Sequence, residues 1–447
     1  MRPPGAPYPR DAGWMIPAEP RESAVAVIER MREAVLLTPE GVRAELAGWV
    51  TGHGDPSMPL LEWRTLLASS GWATPSWPER WHGKGWPAWT DAVVAEALVD
   101  LGTVGVPLGL GMQLAAPTIL EHGTDDLRRR YLLPTIRGEI TWCQLFSEPG
   151  AGSDLAGATT TAVRDGDEWI VNGQKVWNTG AHYADMGILV ARTDWDVAKH
   201  AGLSFFVIDM RQPGVTVRPL RQMNHHQSFN EVFLDDARVP ARDQVGALGE
   251  GWHVALTTLS YERKYGGRVR PDLSIAPGRL LDEARAEVEH YFESYRWYPQ
   301  RSGRVDLVVD RARENGVDQE PVVRQEIARL LSLQMVSQWT ASRASAARAL
   351  GRTPGAEGSV GKLASSEISR SAARVHSLIG GASGLLRGSD APLDGVIAEV
   401  LVSTPGQSIA GGTDEIQKNI LGEKMLGLPR EPSPEFGEPF RLARRNG

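Results

Sequence analysis

Trp142-Cys-Gln-Leu-Phe-Ser-Glu-Pro-Gly-Ala-Gly-Ser-Asp-Leu-Ala156 stands where this sequence changes character. Before it, apolar residues recur mainly at helical spacing. After it come short runs of strand-forming residues separated by turn residues. Its glycines, with Gly157, make only a loose GxGxxG: the third is two places late. No βαβ unit surrounds the string, so a Rossmann fold fails its context test.

Working outward, residues 159–164, 168–171 and 174–177 read as strands. Asp165-Gly166-Asp167 and Asn172-Gly173 separate them, and Asn-Gly is a strong hairpin signal. Further strands are expected at 187–191, 203–209, 215–219 and 231–234, so 141–250 reads as an antiparallel β-barrel or sandwich. Upstream, 21–140 reads as a helical domain behind a loose Pro-rich arm, 1–20, which lacks the apolar core of a signal peptide. Residues 101–120 are uncharged and long enough to span a membrane. Gly102, Gly105, Pro107, Gly109, Gly111, Gln113 and Pro117 interrupt them, so a buried, broken helical segment is expected and no membrane span. From Gly251 helical spacing returns and runs to 430, ahead of a loose tail, 431–447. The fold class is α+β: N-terminal helical domain, middle antiparallel β-domain, C-terminal helical bundle. A length of 447 residues also gives three domains, at roughly 150 residues each.

Lys plus Arg is 48 and Asp plus Glu is 55, a net charge of −7. That argues against a nucleic-acid or anionic-membrane coat. The single cysteine, Cys143, excludes an intrachain disulfide, a CxxC pair and a Cys-rich zinc site, and a reducing cytoplasm fits best. There is no P-loop, HExxH or GxSxG. His225-His226 has no carboxylate cluster to complete a metal set, so no metal is expected.

The opening string closely resembles the flavin-binding signature of the acyl-CoA dehydrogenase family. Three further strings resemble that family in order: Gly166-Asp-Glu-Trp-Ile-Val-Asn-Gly-Gln-Lys-Val-Trp-Asn-Thr179, Phe229-Asn-Glu-Val-Phe-Leu-Asp-Asp-Ala-Arg-Val-Pro240 and Gly411-Gly-Thr-Asp-Glu-Ile-Gln417. The resemblance covers about 40–430. It implies FAD as cofactor, an acyl-CoA substrate and an electron-transfer flavoprotein as electron acceptor. The implied reaction removes a proton from the α-carbon and a hydride from the β-carbon of the thioester, giving the 2-enoyl-CoA. Such chemistry needs a base, a hydride acceptor and a holder for the thioester enolate.

Many family members carry the base just before the Gly-Thr of the last motif. Here that stretch is Ala410-Gly-Gly-Thr413, without a carboxylate. The alternative base position, as in isovaleryl-CoA and long-chain members, falls on Glu262 in Gly251-Trp-His-Val-Ala-Leu-Thr-Thr-Leu-Ser-Tyr-Glu-Arg263. Trp252, Ala255, Leu259 and Glu262 fall on one helical face, and desolvation there is expected to raise the carboxyl's pKa. By resemblance, Gln144, Phe146 and Ser147 lie against the flavin, Trp177 and Thr179 flank it, and Thr413 and Glu415 sit near the cofactor. Gly411 supplies an N–H to the thioester carbonyl, and Ser153 and Arg263 contact the CoA portion or shape the site. Read without the motif, Trp177 is a core aromatic and Ser153 a turn cap.

Two departures bear on assembly. The Arg-x-Thr/Gln-Phe-Gly string that clamps a partner's FAD pyrophosphate in many homomeric members is absent between 264 and 330, and the Gln before Leu-Gly-Gly is altered in Ser377-Leu-Ile-Gly-Gly381. The resemblance therefore allows a homo-oligomer, or a hetero-oligomer with a second acyl-CoA dehydrogenase-like chain. An apparent insertion, 269–303, ends in Tyr295-Arg-Trp-Tyr-Pro299. It could line an acyl pocket, cover the missing clamp or be a surface excursion. A flavin oxidase or monooxygenase, and a scaffold subunit, are the competing functions.

Overall fold

The computed structural model describes residues 37–264, 271, 273, 277–349, 356–430 and 437–442. The expected arm, 1–20, lies outside them. The N-terminal helices are α1 (Pro39–His53), α2 (Leu60–Ser69), α3 (Trp89–Asp100), α4 (Ala116–His122) and α5 (Asp125–Arg137). Thr38 and Thr124 cap α1 and α5 by accepting backbone N–H bonds, with acids in the first turns, as the helix dipole favours. The broken stretch before α4 ends in a π-helical turn, Gly111–Ala115. Gly111 is required there, because a Cβ would come within 2.7 Å of Trp142 in the opening string. No helix of the described residues is long and apolar enough to cross a membrane.

The middle domain has β1 (Trp142–Leu145), β2 (Thr161–Asp165), β3 (Glu168–Val176), β4 (Met186–Arg192), β5 (Leu203–Asp209), β6 (Val215–Leu220), β7 (Phe229–Pro240) and β8 (Gln244–Val245). They form one sheet, β6-β7-β3-β2-β4-β5-β8, with β1 beside β4. The expectation of antiparallel pairing needs one correction: β1 and β2 each pair β4 in parallel. The long crossover through β2 and β3 permits it. A second correction concerns Asn172-Gly173, which forms no hairpin turn. β3 runs straight through it with a bulge in its pairing to β7. Gly173 sits so close to Thr160 that a Cβ would be 2.8 Å from its Cα. Asn172 exchanges hydrogen bonds with Asp236, donating to its side chain and accepting from its N–H. The β2–β3 turn at Asp165-Gly166-Asp167 forms as expected, with Gly166 at φ +57°.

The C-terminal helices begin with α6 (Gly251–Lys264), α7 (Arg279–Glu293) and the short α8 (Tyr298–Arg301). They continue with α9 (Val308–Glu314), α10 (Pro321–Ala349), α11 (Glu357–Gly380), α12 (Val396–Ser403), α13 (Pro405–Ile409) and α14 (Asp414–Lys424). Gly251 lies against the Ser204 backbone, where any Cβ would overlap it, so α6 packs directly on β5. The insertion folds back on the first domain. Leu280, Leu281, Ala284 and Val288 of α7 join one core with Val42, Leu46, Trp63 and Leu67. Arg64 donates twice to Glu287, at 2.6 and 2.8 Å, and Glu283 accepts from the Leu60 N–H at 2.8 Å. By contrast, α10 spans 29 residues and buries only Val323 and Leu330 among its described side chains.

His376 on α11 is fully buried. Arginine can only donate, so Nδ1 accepts from Arg311 at 2.9 Å and Nε2–H is shared by the Gly303 and Arg304 carbonyls, each at 3.1 Å. Burial, then the Arg311 charge, push its pKa down to about 4. The unfolded chain therefore takes a proton at His376 as pH falls below about 6.5 while the folded chain does not. Stability held above that pH is lost progressively down to about 4. Denaturant titrations should show His376 alone costing about 2 kcal/mol between pH 7 and pH 5, a loss absent in His376→Gln.

Candidate active site

A cleft of about 2850 Å³ runs between the middle and C-terminal domains. Gln144, Phe146, Ser147, Ser153, Trp177, Thr179, Glu262, Gly411 and Thr413 all line it. Glu415 is instead exposed on the first turn of α14 and absent from the lining. The Arg263 side chain lies outside the described residues.

The wall made by the opening string is fixed from within. Lys175 of β3 is fully buried and donates to the Phe146 carbonyl and to Glu148, each at 2.9 Å. Glu148 also accepts from the Thr159 N–H and hydroxyl and from the Thr160 N–H. Burial alone would raise the Glu148 carboxyl. The Lys175 charge and the converging donors outweigh it and bring the pKa down to about 2. The strand ends are stitched as well: Val176 N–H donates to the Ser147 carbonyl and Asn178 Nδ2 to the Gln144 carbonyl. Cys143 is fully buried, and burial pushes its thiol far up, which suits a packing residue and not a nucleophile.

Trp177 is no core aromatic. It holds φ +64° and leaves its side chain 56% exposed at the cleft, edge-on to Phe229 at 5.6 Å. A bulky residue in the left-handed region marks a site where surrounding structure imposes the backbone. On α6, Trp252, Leu256, Leu259 and Glu262 line the cleft. Ala255, expected on that face, is instead fully buried in the core beneath. Glu262 is half-buried at the end of this apolar stripe.

At the far wall Gly411 and Gly412 hold φ +68° and +82°, and Thr413 caps α14 by accepting from the Ile416 N–H. Asp414 is not among the residues the sequence marks for the site. It is buried and bonded to Lys362 at 2.8 Å and Arg370 at 2.7 Å. Burial opposes its charge, but the Lys362 and Arg370 hydrogen bonds hold the carboxyl far below the usual range. A first-turn acid already explained by the helix dipole gave no sign of this. Of the roles left open for the insertion, its aromatic residues take the first: Phe292, Tyr295, Trp297 and Tyr298 form a wall of the cleft. Trp297 donates to Ser228 at 2.8 Å and packs on Phe229 at 5.9 Å. Its signal was the aromatic cluster at 295–299, which carries no motif.

These residues fit a flavin. An exposed indole offers a ring platform, and a helix N-terminus with two left-handed glycines opens on the same cleft. Asn178 Oδ1 and Gln417 Oε1, both on lining residues, are buried polar atoms without a partner among the described residues, as a polar ligand would leave them. His226 is occupied by Glu399 at 2.8 Å, and no group of acids, His or Cys among the described residues could hold a metal.

Three sequence models match in order: acyl-CoA dehydrogenase N-terminal domain at 42–139, middle domain at 143–237 and C-terminal domain at 303–426. Acyl-CoA dehydrogenase FadE34 of Mycobacterium tuberculosis is 35% identical over 87% of the chain, which spans only 49% of that protein's length. Acyl-CoA dehydrogenase IpdE1 of the same organism is 34% identical over 88% of this chain and 98% of its own. Among solved structures, the Tcur3481-Tcur3483 steroid ACAD has a TM-score of 0.62 at 26% identity, covering 92% of this chain and 99% of that one. On these matches the chain belongs to the acyl-CoA dehydrogenase family of FAD-dependent oxidoreductases.

Proposed function

We propose that this chain catalyses α,β-dehydrogenation of an acyl-CoA thioester, with Glu262 as the base. The carrying observation is that Glu262 ends an apolar stripe on the same cleft as the flavin-motif residues Ser147, Trp177 and Thr413. Bound FAD supplies the hydride acceptor. Glu262 takes the α-proton, and its half-buried place on α6 keeps bulk water from competing for it. The Gly411 N–H holds the thioester oxygen as charge develops there. Trp177 and Phe146 would flank its ring system, Gln144, Ser147 and Thr179 would offer it polar contacts, and Thr413 caps the helix that opens on the same cleft. Ser153 meets the CoA end. Anaerobic bleaching of the flavin by a panel of acyl-CoAs, with a dye as acceptor, tests this. Oxygen uptake instead would make the chain an oxidase or monooxygenase, and no bleaching by any acyl-CoA would sink the reading.

A hetero-oligomer with a second acyl-CoA dehydrogenase-like chain is the assembly these features favour. The pyrophosphate-clamp string is missing, and α10 leaves Met335, Val336 and Trp339, 48%, 54% and 63% exposed, on neighbouring turns, an apolar cluster of the kind that marks an interface. The similar Tcur3481-Tcur3483 steroid ACAD is named for two components and a steroid, which supports a paired chain and a bulky acyl group. The chain made alone is then expected to purify flavin-poor. A fully flavinated, active homomer would refute the pairing.

A further inference from the structure

Gly152 to Ala156 and Ala198 to Ala201 line one end of the cleft. They belong to different loops, and one side chain ties them together. Arg192, the last residue of β4, is fully buried. Its guanidinium donates to the carbonyls of Ala156 at 2.6 Å, Ala158 at 3.0 Å and Lys199 at 3.0 Å. Lys199 in turn bonds Asp154 at 2.8 and 3.0 Å.

The roof over Arg192 comes from the far end of the chain. The Phe440 ring lies over the guanidinium at 3.6 Å and beside Trp195 at 5.5 Å, and is itself buried. Phe440 and Arg441 N–H groups donate to the Val197 and Trp195 carbonyls. The tail expected to be loose is thus docked at 437–442. A guanidinium shielded from water holds its carbonyls more firmly, and an aromatic face adds attraction for the cation.

We propose that Phe440 is a positioning residue for the CoA end of the cleft. By roofing Arg192 it fixes the 152–156 and 198–201 loops relative to each other, and so sets affinity for the coenzyme A moiety without touching the reacting atoms. This rests on the acyl-CoA reading above.

The test is hydrogen exchange together with calorimetric titration of the flavin-loaded protein with free coenzyme A. Phe440→Ala is expected to raise exchange in 150–158 and 195–202 and weaken coenzyme A about tenfold, with FAD content unchanged. Phe440→Tyr should restore both. Phe440→Leu, which fills the space without an aromatic face, should fall between and guards against a misfolded Ala variant. Unchanged exchange in both Ala and Leu variants overturns the clip. Faster exchange with unaltered coenzyme A binding overturns its link to substrate. A wild-type protein that binds no coenzyme A and is bleached by no acyl-CoA defeats the functional reading instead, while exchange still decides whether the clip exists.

Discussion

Glu262→Gln is expected to lower the rate of flavin bleaching by acyl-CoA by about 10²–10⁴-fold, the usual contribution of a positioned general base. The substitution keeps the side chain's size and its place at the end of the Trp252, Leu256, Leu259 stripe. It removes only the ability to accept a proton. FAD content should therefore be unchanged, since Glu262 is not among the residues read as holding the cofactor. Glu262→Asp is a sharper probe. Shortening the arm by one methylene displaces the carboxylate by about 1 Å, and misplacement of that size can cost about 10²-fold. Measured kcat should fall in both variants, with acyl-CoA binding retained. Retention of full rate by the Gln variant would end the assignment.

Lys175→Met is expected to destabilise the chain by about 3–5 kcal/mol, because it strands a buried carboxylate. Glu148 would keep its bonds to Thr159 and Thr160 but lose the Lys175 cation. Pairing Lys175→Met with Glu148→Leu should recover only part of the loss. The double variant removes the stranded charge yet leaves the Thr159 and Thr160 N–H groups without their acceptor. The pH dependence follows in sign. The Glu148 carboxyl is depressed in the folded state to about 2, so its contribution is complete above about pH 4.5 and drains away as pH falls toward 2. Denaturant midpoints across that range would record it, and a Lys175→Met variant as stable as the parent would refute it.

Local signals are legible in the sequence where the chain answers to its neighbours. Capping is settled within three residues, as at Thr413, which accepts from the Ile416 N–H. Asp165-Gly166-Asp167 turns, but Asn172-Gly173 does not, because β3 gains more by continuing along β7 than by turning back. Four motifs led to one cleft because each is short and carries its own residue types. What stayed hidden is long-range. Nothing local says that 280–288 completes a core with Val42 and Leu67, or that Phe440 will reach Arg192. Asp414 escaped notice for a related reason: its partners Lys362 and Arg370 come from another helix, and only their convergence reveals that the acid is buried.

The docking of α7 on the first domain also constrains how the protein can be made. Arg64 and Glu287 stand 223 residues apart. At ordinary translation speeds the ribosome needs roughly 10–45 s to cover that distance. Through that interval the nascent N-terminal helices carry an uncovered apolar groove around Leu46, Trp63 and Leu67, available to chaperones or to other nascent chains. The final core of the first domain therefore cannot be completed until α7 has been made. Its first domain is finished only after its second has been built and its third begun.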